Sequence, residues 1–195
     1  PVVGVAGGRP VPQIDCFVSD DVGAGQQAAT YLIRLGHRHI AFIGATQSKT
    51  TELRYEGARR AFHEAGLETD DRLLVTVNSY DAQDAATAVT ELLARGCTFS
   101  ALLVFNDVMA VGALDALESQ GIQAPEQVSI CGFDDTVSAY SRPQLTTIAC
   151  PSEDLGRQAV ERLLQRIDGD KSPPTLHALP TRLIVRESTR APRSS

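Results

Sequence analysis

The sequence lacks any apolar run long enough to cross a bilayer. It also lacks a recognisable leader or transit segment, so no membrane partner is expected. It lacks a basic excess: 18 Lys and Arg stand against 24 Asp and Glu, for a formal charge of -6. A chain of that charge has no field with which to hold nucleic acid by itself. It lacks paired cysteines. Cys16, Cys97, Cys131 and Cys150 lie far apart, with no C-x-x-C pair and no His at metal spacing. They read as isolated reduced thiols, which fits a cytoplasmic protein. There is no P-loop, no G-x-S-x-G elbow and no H-E-x-x-H, so no nucleophile or cofactor loop is expected and an enzyme is disfavoured. "GAGQQA" near Gly23 misses the G-x-G-x-x-G spacing. His37 and His39 flank Arg38 with no nearby Cys or carboxylate, a poor ligand set, so no metal is expected. Internal repeats and low-complexity tracts are missing too.

What is present is an alternation. Short, continuous apolar runs alternate with stretches of helical period. The strands read as 2–6 ("VVGVA"), 14–20 ("IDCFVSD"), 39–44 ("HIAFIG"), 72–77 ("RLLVTV"), 101–105 ("ALLVF"), 128–133 ("VSICGF"), 145–148 ("LTTI") and 181–188 ("TRLIVRES"). Helices are expected between them, with Asp20 or Asp21 capping the first and Gly36, Gly66, Gly96 and Gly121 closing the first four. Ser152 is the expected cap of the last helix, "DGDKSPP" a turn-rich linker and "TRAPRSS" a frayed tail. Uninterrupted apolar strands separated by helices predict an α/β protein with parallel sheet covered on both faces.

In such sheets ligands sit outside the carboxyl ends of the strands. The residues that follow four consecutive strands are therefore candidates. The 39–44 strand leads to Arg54, the 72–77 strand to Tyr80, the 101–105 strand to Asn106 and Asp107, and the 128–133 strand to Asp134 and Asp135. Carboxylate and amide oxygens accept from hydroxyls, and Arg donates from a fixed fork. An aromatic ring offers a flat apolar platform. Together these groups suit a small polyhydroxylated or heteroaromatic ligand. Polar residues at the same places can equally cap the next helix, the role expected of Asp107. Asp134 and Asp135, being adjacent, do not form the separated acid pair of a glycosidase.

The stretches "GHRHIAFIG" (36–44), "NDVMAVGALDALESQGIQAPEQVSICGFDD" (106–135), "RPQLTTI" (142–148), "PSEDLG" (151–156) and "RLIVRES" (182–188) resemble, in order, the effector-binding domain of LacI/GalR-type transcriptional regulators. The resemblance implies a type I periplasmic-binding-protein-like fold of two doubly wound lobes joined by hinge crossings. Residues 1–36 and 147–170 would form an incomplete N-terminal lobe, and 37–146 and 171–195 the C-terminal lobe. "LTTI" would be one crossing. The resemblance implies ligand-binding roles for Arg54, Tyr80, Asn106 and Asp134, the same residues that strand-end position selects. Asp135 is expected in a turn. The family often has Asp after its first strand, where this chain has Ala6 followed by Gly7 and Gly8. One polar contact from that lobe is therefore expected to be missing. The implied partners are a small-molecule effector, a sugar or related metabolite, a second copy in a homodimer through the 107–120 helix, and operator DNA through a helix-turn-helix head outside this sequence. Ala110, Ala113 and Leu117 of that helix are each read as core. The rival reading is a periplasmic sugar-binding transport protein of the same fold, against which the thiols and the motif series speak. The chain opens at Pro1 without an initiator Met, so it is expected to be processed or truncated, with an exposed sheet edge beside "VVGVA".

Overall fold

The computed structural model describes residues 1–5 and 11–193. The expectation about Ala6, Gly7 and Gly8 lies outside these residues. The chain runs β1 (Val3–Val5), β2 (Asp15–Ser19), α1 (Asp21–Leu35), β3 (Ile40–Ala45), α2 (Lys49–Glu64), β4 (Leu74–Val77), α3 (Ala82–Ala94), β5 (Ala101–Val104), α4 (Asp107–Ser119), β6 (Ser129–Asp134), β7 (Thr146–Ala149), α5 (Ser152–Ile167), β8 (Leu176–Leu179) and β9 (Arg182–Ile184). Two sheets result. One is β1-β2-β8, all parallel, with β1 at an edge. The other is β4-β3-β5-β6-β7-β9, parallel except for the antiparallel β9.

The large sheet is buried on both sides, as its uninterrupted apolar strands require. On one face Ile43, Leu102, Val104 and Ile130 pack with Leu92 of α3 and Met109 and Leu117 of α4. On the other, Phe42, Leu103 and Phe133 pack with Leu32 of α1 and Ala58 and Phe62 of α2. Ala110, Ala113 and Leu117 are all in the first cluster, so the inward face of α4 is core in this chain. The small sheet carries its own cluster of Phe17, Leu155, Ala159 and Leu179 beneath α5.

The division between sheets differs from the expected lobe boundaries. α1, expected with residues 1–36 of the N-terminal lobe, lies on the large sheet, because Ala24, Ala28, Ala29 and Leu32 face Phe42 and Phe133. "LTTI" is not a crossing but strand β7, paired to β6 from Cys131↔Thr146 onward. β8, inside the segment 171–195 expected in the C-terminal lobe, pairs with β2. Its "LHAL" is half exposed and carries no apolar run, so nothing in the sequence marks it as a strand. Three connections therefore pass between sheets: from β2 to α1, from β7 to α5, and from β8 to β9. The first and third are tied together, since the Asp20 backbone N–H donates to the Leu179 carbonyl at 2.9 Å.

The caps follow the sequence except at α4, where Asn106 rather than Asp107 caps, and at α5. Asp20 accepts from the Gly23 N–H at 2.9 Å, and Gly36, Gly66, Gly96 and Gly121 take left-handed backbone angles. α5 has Pro151 at its cap, which has no side-chain oxygen, and Ser152 is already helical. The tail is not frayed at its start. Thr189 meets the Tyr31 hydroxyl at 2.9 Å, and the Arg190 carbonyl accepts from His37 Nε2 at 2.9 Å. His37 is buried, and desolvation holds its imidazole below its ordinary pKa.

Candidate functional site

In the large sheet the chain goes outward from β3 to β4 by way of α2, then returns to place β5 on the other side of β3. The loops after β3 and β5 thus diverge to opposite faces and leave a crevice at their carboxyl ends. Arg54 of α2 lies there, 5% exposed. Its Nε donates to Asp21 Oδ1 at 3.0 Å, its Nη1 to the Phe105 carbonyl, and its Nη2 to Asp134 Oδ1 at 3.1 Å. The guanidinium also lies 5.0 Å from the Phe105 ring centre and 4.5 Å from that of Phe133.

Two glycines make this possible. A Cβ at Gly25 would fall 1.8 Å from the Arg54 carbonyl oxygen, and one at Gly57 would fall 2.0 Å from that of Val22. Their absence of side chains lets α1 and α2 meet backbone to backbone, which brings Asp21 against Arg54. Asp21 is buried, and its Oδ2 has no hydrogen-bond partner among the described residues. Burial pushes its carboxyl above the ordinary range, against the pull of Arg54.

At the end of β6, Asp134 and Asp135 have φ of 97° and 59°, two successive left-handed residues. The turn sends the carboxylates apart. Asp134 meets Arg54, while Asp135 accepts from Arg186 Nη2 at 2.7 Å and from the Ser138 hydroxyl at 2.6 Å. Asp135 is thus a turn residue with its own cation.

Asn106 is the cap of α4, its Oδ1 accepting from the Met109 N–H at 2.7 Å. That leaves only the amide donors, one of which reaches the Tyr80 carbonyl at 3.5 Å. Asp107, the expected cap, is fully buried instead. Its Oδ2 accepts from the Thr136 N–H at 2.8 Å and its Oδ1 from the Thr147 hydroxyl at 2.7 Å. A Cβ at Gly132 would lie 2.5 Å from that Oδ1, so glycine clears room for the carboxyl. Burial pushes the Asp107 acid up to about 6. Asp107 therefore ties the loop after Asp135 to β7, the strand that leads into the second inter-sheet connection. Tyr80 is 52% exposed, with its ring 5.1 Å from that of Phe105.

The four residues selected by position are thus brought to one strand edge around Phe105: Arg54 and Asp134 in direct contact, Asn106 adjacent and Tyr80 beside it. Sequence reasoning missed Asp21, Phe105 and the buried role of Asp107. Asp21 had been legible only as a cap. Its pairing to a residue 33 positions away depends on the α1–α2 approach. No group of His, Cys, Asp or Glu among the described residues could hold a metal ion.

A family model described as a periplasmic binding protein-like domain matches residues 29–189. The HTH-type transcriptional regulator CelR of Thermobifida fusca is 37% identical over 190 residues, covering 94% of this chain and 56% of that protein. The HTH-type transcriptional regulator GalR of Escherichia coli K12 is 36% identical over 179 residues, covering 91% and 52%. The chain spans about half the length of these curated relatives. Among solved structures, a CelR–cellobiose complex superposes with a TM-score of 0.88 at 35% identity, covering 94% of this chain and 58% of that one. A LacI family regulator from Enterococcus faecium with bound ribose superposes at 0.91 and 28% identity, covering 99% and 72%. The chain therefore belongs to the periplasmic binding protein-like domain family, in its LacI/GalR effector-binding branch.

Proposed function

We propose that this chain is the effector-sensing part of a LacI-type transcriptional regulator, taking a small sugar or related polyol against Asp134 in the crevice at the strand ends. The observation that carries this is the position of Asp134. Its carboxylate is partly exposed and held through one oxygen by Arg54, whose guanidinium lies against the buried Phe105 ring on which the half-exposed Tyr80 packs. A carboxylate accepts from ligand hydroxyls, and an adjacent ring packs on the C–H face of a sugar. Arg54 orients Asp134, and the amide donors of Asn106 complete the edge. Relatives named for regulation favour this over transport with the same fold, and two similar structures contain cellobiose and ribose.

The first connection between the sheets leads into Asp21 of this network, and the second begins after β7, which Asp107 holds through Thr147. A ligand that binds one arrangement of the sheets better shifts the population toward it. In the full-length regulator that shift would alter operator binding by a separate head, within a homodimer in the cytoplasm.

The test is calorimetry on the intact protein with cellobiose, D-ribose, D-galactose and D-glucose. At least one should bind saturably, and Asp134→Ala should weaken that binding by about tenfold or more. No binding by any neutral sugar, or unchanged affinity in folded Asp134→Ala, would sink the reading.

A further inference from the structure

The Arg54 guanidinium is the obvious anion receptor of the crevice, yet three of its five N–H donors are already committed to the protein. Nε and Nη2, the edge that would grip a phosphate with two parallel bonds, go to Asp21 and Asp134. Nη1 goes to the Phe105 carbonyl, and the rings of Phe105 and Phe133 lie against the guanidinium. The neighbouring cations are engaged as well. Arg186 holds Asp135 at 2.7 Å, and Lys49 at the start of α2 holds Glu52 at 2.8 Å. Around this centre, Asp21 and Asp134 sit on Arg54, and Asp135 sits on Arg186 with Arg182 also acting on it, while the Asp107 carboxyl is buried behind them on Thr136 and Thr147.

Asp21 decides this balance. It is buried, touches Arg54 directly, and keeps Oδ2 without a partner among the described residues. Beyond the pull of Arg54 and the Ser19 hydroxyl, its charge adds negative potential at the guanidinium. Without the Asp21 charge, Arg54 would share one positive charge with Asp134 alone and keep a free Nε donor.

We propose that Asp21 sets the charge preference of the crevice: by committing Arg54, it makes the site take an uncharged polyol and turn away the phosphorylated form of the same sugar. This rests on the sensing reading above and adds the ligand class. A phosphate close to Asp134 would meet like charge in a partly desolvated setting, where such juxtaposition is costly. Specificity here comes from a repulsive element as much as from attraction.

The test uses matched pairs on the intact protein: cellobiose with cellobiose 6′-phosphate, D-ribose with D-ribose 5-phosphate, D-glucose with D-glucose 6-phosphate, and D-galactose with D-galactose 1-phosphate, by calorimetry. In the pair that binds, the neutral sugar should be preferred by about tenfold or more. In Asp21→Asn, which keeps the shape and removes the charge, that preference should narrow by about threefold or more. An unchanged ratio in a folded Asp21→Asn, or a wild-type preference for the phosphorylated sugar, overturns the proposal. Should Asp21→Asn fail to fold, wild-type salt dependence decides. Added salt should leave the neutral sugar unaffected and strengthen the phosphorylated one, because it screens repulsion. Weakening of the phosphorylated sugar by salt overturns the proposal. If neither member of any pair binds, the sensing reading itself fails, and the charge preference with it.

Discussion

Asp134 and Asp135 show how two identical neighbours acquire different tasks. Their successive left-handed backbones cost on the order of 1 kcal/mol each, which Asp tolerates better than most residues. In return one carboxylate reaches Arg54 and the other Arg186. A third acid, Asp107, is buried behind them and supports a pH prediction. Burial lifts it to about 6. An acid whose folded pKa exceeds its unfolded value favours the folded state while protonated. That contribution is complete below about pH 4 and is lost as pH rises through about 6. Asp107→Asn removes the titration but leaves the Thr136 N–H facing an amide or a lone carbonyl oxygen. The stability advantage of the wild type over Asp107→Asn should therefore shrink by on the order of 2–3 kcal/mol between about pH 4 and pH 7. Denaturant titrations across that range measure it, and a constant difference would show that Asp107 is ionised throughout.

At the scale of elements, the site depends on the approach of α1 to α2. Gly25 and Gly57 interlock the two helices, and Asp21 meets Arg54 only because they do. Gly57→Ala puts a methyl group against the Val22 carbonyl oxygen and should cost about 2 kcal/mol or more in urea unfolding. It should also weaken sugar binding, because separating the helices pulls Arg54 off Asp21. A variant as stable as the wild type would mean that the helices slide apart freely. Most elements could be read in the sequence because β3, β5 and β6 are unbroken apolar runs and the helices end at glycine. β8 could not, since a half-exposed four-residue strand takes its identity from its partner β2. α1 was assigned to the other lobe for a related reason. Its alanine-rich face specifies burial but not which sheet provides it. At the strand ends, position brings Arg54, Tyr80, Asn106 and Asp134 to one edge. It could not reveal that Asn106 would be the cap and Asp107 the buried tie, because either side chain can play either part.

For the molecule as a whole, two sheets are joined by three connections, and the polar network touches them at several points. Asp21 opens α1 directly after the first connection. Asp107 grips Thr147 ahead of the second. Gln27 of α1 donates to the Thr181 hydroxyl at 3.2 Å within the third. A ligand at Asp134 is therefore two contacts away from the first connection, through Arg54 and Asp21. On the proposed reading, this arrangement would give a bound sugar a means of favouring one relation of the sheets over another. The central claim is that the ligand sits on Asp134 at the strand ends. The most direct measurement is a crystal structure of the intact protein with whichever neutral sugar binds in calorimetry. The account predicts ligand hydroxyls about 3 Å from the Asp134 carboxylate with the sugar ring against Tyr80. Density for the sugar elsewhere, such as the open groove on α2 lined by Glu56, Arg60 and His63, with Asp134 untouched, would contradict it.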